Sequence, residues 1–467
     1  MRKKIITLLS VGLLLAGWQI GALQVNQPAF VPSLGDVGQT LFHLIATTSF
    51  YQSLLTTVVR GGAGMAISLA AAAGTAWFFA RYELLYELFR PILVMMRSVP
   101  VISFILLALI FLNPENIPLF IAFFTMFPLL AENLTKGIRS LHPGFTEMGR
   151  LFRIGSWNRL TQIIYPQLKP FLYSGLASAI GFGWRAIIMG EVLAQCTWGI
   201  GSEMKKAQIF IEVPTLLAWT LVAVGLSFLF DKGISLLSSC KSRILFISGP
   251  TDISPEIGQA SPIRLDKAGH TYGFGSCTFT FLPGKIYGLS APSGSGKTTL
   301  LRLINGSLPI AQGKIEIDRS QGIASVFQEP ELLPHLTALE NIVLPLARLL
   351  PENKAQQLAF FYLKELEMES FAYRYPSELS YGQQQRIALA RALAFPSPFL
   401  LMDEPFKGLD EALRDRVIEN MRRIQRVRKQ TILFTSHHPQ ELERLGDEVI
   451  YLPDKVEKAY GRNQSEQ

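Results

Sequence analysis

Cysteine is nearly absent: Cys196, Cys240 and Cys277 are three among 467 residues, odd in number and far apart. That spacing suggests neither a disulfide framework nor a zinc site and reads them as packing residues. Charge is scarce too. Asp, Glu, Lys and Arg make up 17% of the chain against 49% hydrophobic residues, and the mean hydropathy is +0.27. Such a chain is too apolar for an ordinary soluble protein and long enough for two or more domains. No internal repeat or long low-complexity tract is present. The net charge of +8 lies largely in loops between hydrophobic runs, where a cytoplasmic membrane face accounts for it, so nucleic acid is not an expected partner.

The apolar excess is concentrated before residue 240. A span needs roughly 20 mostly apolar residues, and six runs qualify, at about 5–23, 54–80, 91–112, 117–131, 171–195 and 213–232. The fourth is short enough to be tilted or re-entrant, so the expected number is six, give or take one. The start MRKKIITLLSVGLLLAGW also fits a signal peptide, but the run reaches Leu23, which suits a retained first helix better. Lys136, Arg139, Arg150, Arg153, Arg159 and Lys169 face only Glu132 and Glu147 between the fourth and fifth runs, which places that loop in the cytoplasm. Lys232, Lys241 and Arg243 then emerge on the same side. Within the loop, Phe152, Trp157, Leu160 and Ile164 fall at helical spacings and predict one amphipathic helix. Arg60, Arg97, Arg185 and Glu191 interrupt spans, where each central charge costs about 2.5–3.5 kcal/mol. Arg185 and Glu191, six residues apart, do not share a helix face well, so they find partners on other helices, snorkel at the membrane edge, or line a translocation path.

After a Pro-, Gly- and Ser-containing linker at 241–263, the pattern changes to alternating strands and helices over 264–453, with a polar tail at 454–467. KIYGLS reads as a strand and KTTLLRLING as a helix, with APSGSG as the turn between them. That is the context of a phosphate loop: Gly294 and Gly296 let backbone amides approach phosphate, Lys297 neutralises charge, and Thr298 is placed to ligate magnesium. Ala291 stands at the leading glycine of that motif. FLLMDEP is an apolar strand ending in Asp403, a candidate magnesium ligand, and Glu404, a candidate for activating water.

These motifs, with LSYGQQQ at 379–385 between them, resemble the ATP-binding cassette (ABC) ATPases over about 264–452. The resemblance implies an α-helical membrane domain of about six spans at 1–240, then an α/β P-loop NTPase of the ABC type. It implies ATP and magnesium as cofactors, with Ser293, Gly294, Ser295, Gly296, Lys297, Thr298 and Thr299 around the phosphates. It also implies Ser380, Gly382 and Gln383 as a signature segment facing the ATP of an opposite subunit, where Tyr381 replaces the commoner Gly. Gln328 matches the glutamine that senses magnesium and faces the membrane domain. His437 matches the switch histidine, and His438 stands where the family usually has Asp. Asp410 belongs to a loop that signals between subunits, and Tyr272, with Phe274 close by, is the adenine-stacking candidate. The cytoplasmic loop resembles the coupling loop of importer permeases through Glu147, Trp157 and Pro166, with Arg153 in place of the usual Gly. The spans resemble permeases of the nitrate/sulfonate/taurine type through SLLTTVVRGGAGM, PILVMMRSVPVISFILLALIF and GEVLAQCTWGIGSEM.

Taken as a whole, the resemblance implies an ATP-hydrolysing importer in a bacterial inner membrane. It implies a homodimer that works with a periplasmic or lipid-anchored solute-binding protein and carries a small anion, a sulfonate or a vitamin precursor. A half-size exporter and a non-transport signalling ATPase remain as alternatives.

Overall fold

The computed structural model describes residues 2–25, 27, 30–239, 260–270, 274–292, 294–320 and 322–452. Most of the expected linker, the polar tail, Tyr272 and Ser293 lie outside the described residues. Two compact units are present: Met1–Leu141 with Gln167–Lys241, and His142–Pro166 with Ser242–Gln467. The Arg-rich loop therefore packs with the C-terminal unit.

The first unit is helical. Its longest helix inside the unit, Thr48–Arg81, is capped by Thr47, whose side chain accepts from Phe50 N–H. Along it Thr57, Gly61, Gly64, Ser68, Ala72 and Ala76 are buried at three- and four-residue spacings, a stripe of small side chains that lets helix Ile117–Arg139 approach closely. A Cβ on Gly64 would stand 2.5 Å from Ala122 Cβ, so this contact admits only glycine.

Among the described residues four helices are long and apolar enough to span a membrane: Thr48–Arg81, Pro114–Arg139, Ser156–Ala194 and Val213–Ser238. The short fourth run thus belongs to a helix of full spanning length. The first run lies in Arg2–Val25, whose apolar part is the shorter Leu9–Val25. The third run departs from expectation: it is not one helix but Glu83–Ser98 and Val101–Phe111, bent by 96°. Pro100 holds the break. Its ring opposes an α conformation at Val99, which is extended at φ −71°, ψ 133°.

The buried charge in this unit is fully partnered. Glu191, with none of its side chain exposed, lies 2.9 Å from Arg60 Nη1 and accepts from Thr57 Oγ1 at 2.9 Å and from Gly201 N–H at 2.9 Å. Arg60 also pairs with Glu115 and donates to Trp198 O at 2.7 Å. Of the two readings of Glu191, the structure supports partners on another helix. Arg185, by contrast, is exposed.

The second unit contains strands β1 (Ile263–His270), β2 (Phe274–Phe281), β3 (Ile286–Ser290), β4 (Gln312–Glu316), β5 (Ala324–Val326), β6 (Phe399–Asp403), β7 (Thr431–Thr435) and β8 (Glu448–Tyr451). An antiparallel sheet runs β2-β1-β4 and a parallel sheet runs β5-β6-β7-β3-β8. β6 and β7 are buried at every position, as expected of parallel strands covered on both faces. β3, β6 and β7 are neighbours, so the residues following their carboxyl ends converge at one edge, where open α/β sheets place ligands.

Candidate nucleotide site

The chain leaves β3, turns through 291–296 and enters helix Lys297–Asn305. Gly294 (φ +78°) and Gly296 (φ +95°) take left-handed conformations, which a side chain would strain. No side chain caps this helix, so its first amides remain free to bind an anion.

Residues that follow β6 and β7 face this turn. Asp403 is buried and accepts from Thr298 Oγ1 at 2.6 Å and from Thr435 Oγ1 at 2.7 Å. Glu404 sits in a left-handed conformation at φ +50°, and its N–H donates to Thr435 Oγ1 at 3.0 Å. Glu404 Oε1 is 2.7 Å from His437 Nε2, while Lys297 Nζ is 3.4 Å from His437 Nδ1. A neutral imidazole protonated at Nε2 satisfies both contacts. Lys297 also donates back to the carbonyls of Ala291 and Pro292. Burial pulls its pKa down, opposed by the carboxylates of Glu404 and Asp403. A cavity of about 270 Å³ is lined by Gly294, Ser295, Gly296, Lys297, Thr298, Thr299, Gln328, Glu404 and His437.

The signature residues are not among those lining this cavity. Ser380 caps helix Tyr381–Ala394 in a reciprocal box with Gln383, Gly382 packs against Gly408 O, and Asp410 Oδ1 accepts from Leu413 N–H at 3.0 Å as the cap of Glu411–Arg428. Tyr381, at the departure from the usual Gly, donates its hydroxyl to Gln328 O at 2.8 Å. Ser380, Gly382, Gln383 and Asp410 thus lie outside the lining of this cavity, and only Tyr381 reaches the backbone of a residue at its wall.

Residues 274–407 match the family described as ABC transporter, and residues 64–238 match the binding-protein-dependent transport system inner membrane component. The thiamine import ATP-binding protein ThiQ of Mesorhizobium japonicum is 35% identical over 216 residues, covering 44% of this chain and 85% of ThiQ. The chain belongs to the ABC transporter family. The glycine betaine/proline betaine transport system ATP-binding protein ProV of Escherichia coli (strain K12) is 35% identical over 214 residues, 42% of this chain and 53% of ProV. The chain thus spans about half the length of that relative. A solved ATP-binding cassette, the MJ0796 dimer bound to ADP and Pi, aligns over 41% of this chain and 94% of its own with 30% identity and a TM-score of 0.39. The matched ABC transporter segment takes in 294–299, 328, 380–383, 403 and 404, and ends before Asp410 and His437.

In this ABC transporter the cytoplasmic loop is built into the core of the ATPase unit. Helix Pro143–Leu151 ends at Phe152, which is fully buried against Phe395 with ring centroids 5.2 Å apart. Met148, Ile154 and Ile163 join the same cluster. The Arg391 guanidinium lies 5.5 Å from the Phe152 ring and donates to Glu331 O at 2.7 Å and Pro330 O at 2.9 Å. Burial pulls the Arg391 pKa down to about 10.

The expected single amphipathic helix does not form. Arg153 takes φ +49° and ends it, the chain restarts at Ser156, and Trp157 and Leu160 are half-exposed while Asn158, Gln162 and Ile163 are buried. The positive φ explains why a glycine suits position 153. Arg153 carries the strain with a compensation, donating to Arg319 O at 3.1 Å and to Ser320 O. Sequence reasoning missed Thr435, Arg391 and Phe395. Thr435 has no motif of its own and is found through the parallel pairing of Asp403 with Thr435.

Phe152→Ala empties a fully buried site, a change worth about 3–5 kcal/mol. Each 1.4 kcal/mol is a factor of about ten in the population of the opened loop. Trypsin cleavage after Arg150, Arg153 or Arg159 should therefore rise more than tenfold in the purified full-length variant; an unchanged rate would show that Phe152 does not hold the loop closed.

Proposed function

We propose that this chain is an ATP-driven importer of a small solute, with permease and ATPase fused, acting as a homodimer in a bacterial inner membrane. The observation that carries it is the separation of the phosphate-binding residues from Ser380 and Gly382. A second copy, related by a two-fold axis, supplies the signature helix to each cavity, and two ATP molecules lie between the copies.

ATP phosphates sit on the amides of 294–299 with Lys297 beside them. Thr298 and Asp403, with Gln328 at the cavity wall, are the residues that would hold a magnesium ion, which would offset phosphate charge. Their oxygen donors fit that ion. Among the described residues no cluster of His, Cys, Asp and Glu holds a metal alone, and magnesium is commonly bound by one or two carboxylates plus phosphates. Glu404 accepts the proton of the attacking water, and His437 orients Glu404 and contacts the terminal phosphate. Closure of the two copies moves the loop at 142–166, which continues into a span, and the spans alternate their access. The permease match and the import names of relatives such as ThiQ support import. A secreted binding protein then delivers the solute, which the resemblance of the spans makes a small anion, a sulfonate or a vitamin precursor.

The test is co-expression of Lys297→Ala and Ser380→Arg chains in lipid discs. Each homodimer is inactive, whereas a mixed dimer retains one intact site and recovers a substantial part of ATP turnover; no recovery refutes the shared site. Stimulation of the unaltered chain by a solute-loaded binding protein, and not by solute alone, marks import; the reverse marks export.

A further inference from the structure

We propose that the cavity at the broken span binds a small organic anion on its way through the membrane, an assignment that rests on the transport reading above. The cavity measures about 370 Å³, in the range of small-molecule sites, and is lined by Arg97, Ser98 and Thr125 among Val99, Leu129 and Phe182. Its wall is the elbow between Glu83–Ser98 and Val101–Phe111. Non-helical backbone survives at membrane depth only where protein covers it or a water-filled cavity meets it, and interrupted spans are where transporters place their solutes. Thr125 lies eleven residues along helix Pro114–Arg139, about 16 Å from its start and so near mid-membrane.

The charge balance selects an anion. Arg97 pairs with Glu132, which also accepts from Lys136 Nζ at 2.8 Å. Two cations share one carboxylate, and no acidic side chain lines the cavity. Arg185 does not line the cavity, but it stands one helical turn from Phe182, which does, and is exposed. An arginine at that depth facing lipid costs about 2.5–3.5 kcal/mol, so this face meets water or protein. The hydroxyls of Ser98 and Thr125 donate to Val94 O and Ile121 O, each at 2.8 Å, and can turn to a ligand. The valine, leucine and phenylalanine walls suit a ligand with an apolar part, such as a carboxylate, sulfonate or phosphonate on a short carbon frame.

The experiment places a cysteine at Thr125 in the full chain with Cys196, Cys240 and Cys277 replaced by Ala. It compares labelling in lipid discs by a sulfonate-bearing and a trimethylammonium-bearing methanethiosulfonate. With each rate divided by that reagent's rate with a small thiol in solution, the anionic reagent should react about tenfold faster, be slowed by benzenesulfonate and not by benzyltrimethylammonium, and lose its preference in Arg97→Gln but not in Arg97→Lys. Equal or faster labelling by the cation, equal protection by both probes, or no labelling by either overturns the assignment. ATP turnover does not enter, so failure of the transport reading leaves this result interpretable.

Discussion

Glu404→Gln lowers ATP turnover by about two to three powers of ten, the size expected for loss of a general base, and leaves ATP binding intact. Glutamine matches the shape of the carboxyl group. Its amide oxygen still reaches His437 Nε2, now 2.7 Å from Glu404 Oε1, so the imidazole keeps its place. The backbone that positions residue 404 is also unchanged, because its N–H is held by Thr435 Oγ1 at 3.0 Å. The one property lost is the ability to accept a proton. The proposed phosphate contacts do not depend on that ability: Gly294, Gly296, Lys297 and Thr298 would bind through amides, ammonium and hydroxyl. Removing a carboxylate near Lys297 makes the site more positive, so affinity for ATP holds or rises. Phosphate release and binding of a fluorescent ATP analogue, measured on the same sample, separate the two effects. Turnover within twofold of the unaltered chain would remove Glu404 from the role of base.

The strand, glycine-rich turn and helix at 286–305 were legible because their logic is local: the three succeed one another in a single stretch. Asp403 and Glu404 needed the neighbouring motifs, since an apolar strand ending in acids is common. Thr435 was not legible at all, because its role comes from strand adjacency and not from its neighbours in sequence. The membrane half failed in two places for physical reasons. Hydropathy sums composition and cannot see the break at Pro100. Nor is proline alone decisive, for Pro128 lies inside the continuous helix Ile117–Arg139. The loop at 142–166 carried a helical period through Arg153, but a period says nothing about φ, and one left-handed residue turned a predicted helix into two pieces. Burial by Phe395 and the neighbouring core, and not amphipathicity at a surface, decided which side chains point inward.

Glu191→Ala should destabilise the permease unit by about 3–5 kcal/mol, as breaking one side of a buried ion pair does. The carboxylate serves several partners at once. It meets Arg60, accepts from Thr57 Oγ1, and receives the N–H of Gly201 at 2.9 Å, which ties the start of helix Ile200–Ile209 to helix Thr48–Arg81. Alanine leaves Arg60 with Glu115 and the Trp198 carbonyl and strands the Gly201 amide without its acceptor. Glu191→Gln keeps an acceptor for Gly201 and Thr57 and loses only the charge, so its cost should be smaller, about 1–3 kcal/mol. The ordering separates two roles. A pin for the fold predicts that the temperature of unfolding falls in the order unaltered, Gln, Ala. A residue lining the solute path predicts another pattern, with Gln abolishing transport at unchanged stability, because neutralising a charge in water-accessible space has little structural cost. The complete burial of Glu191 argues for the pin, and thermal unfolding of the three chains in lipid discs decides between the two.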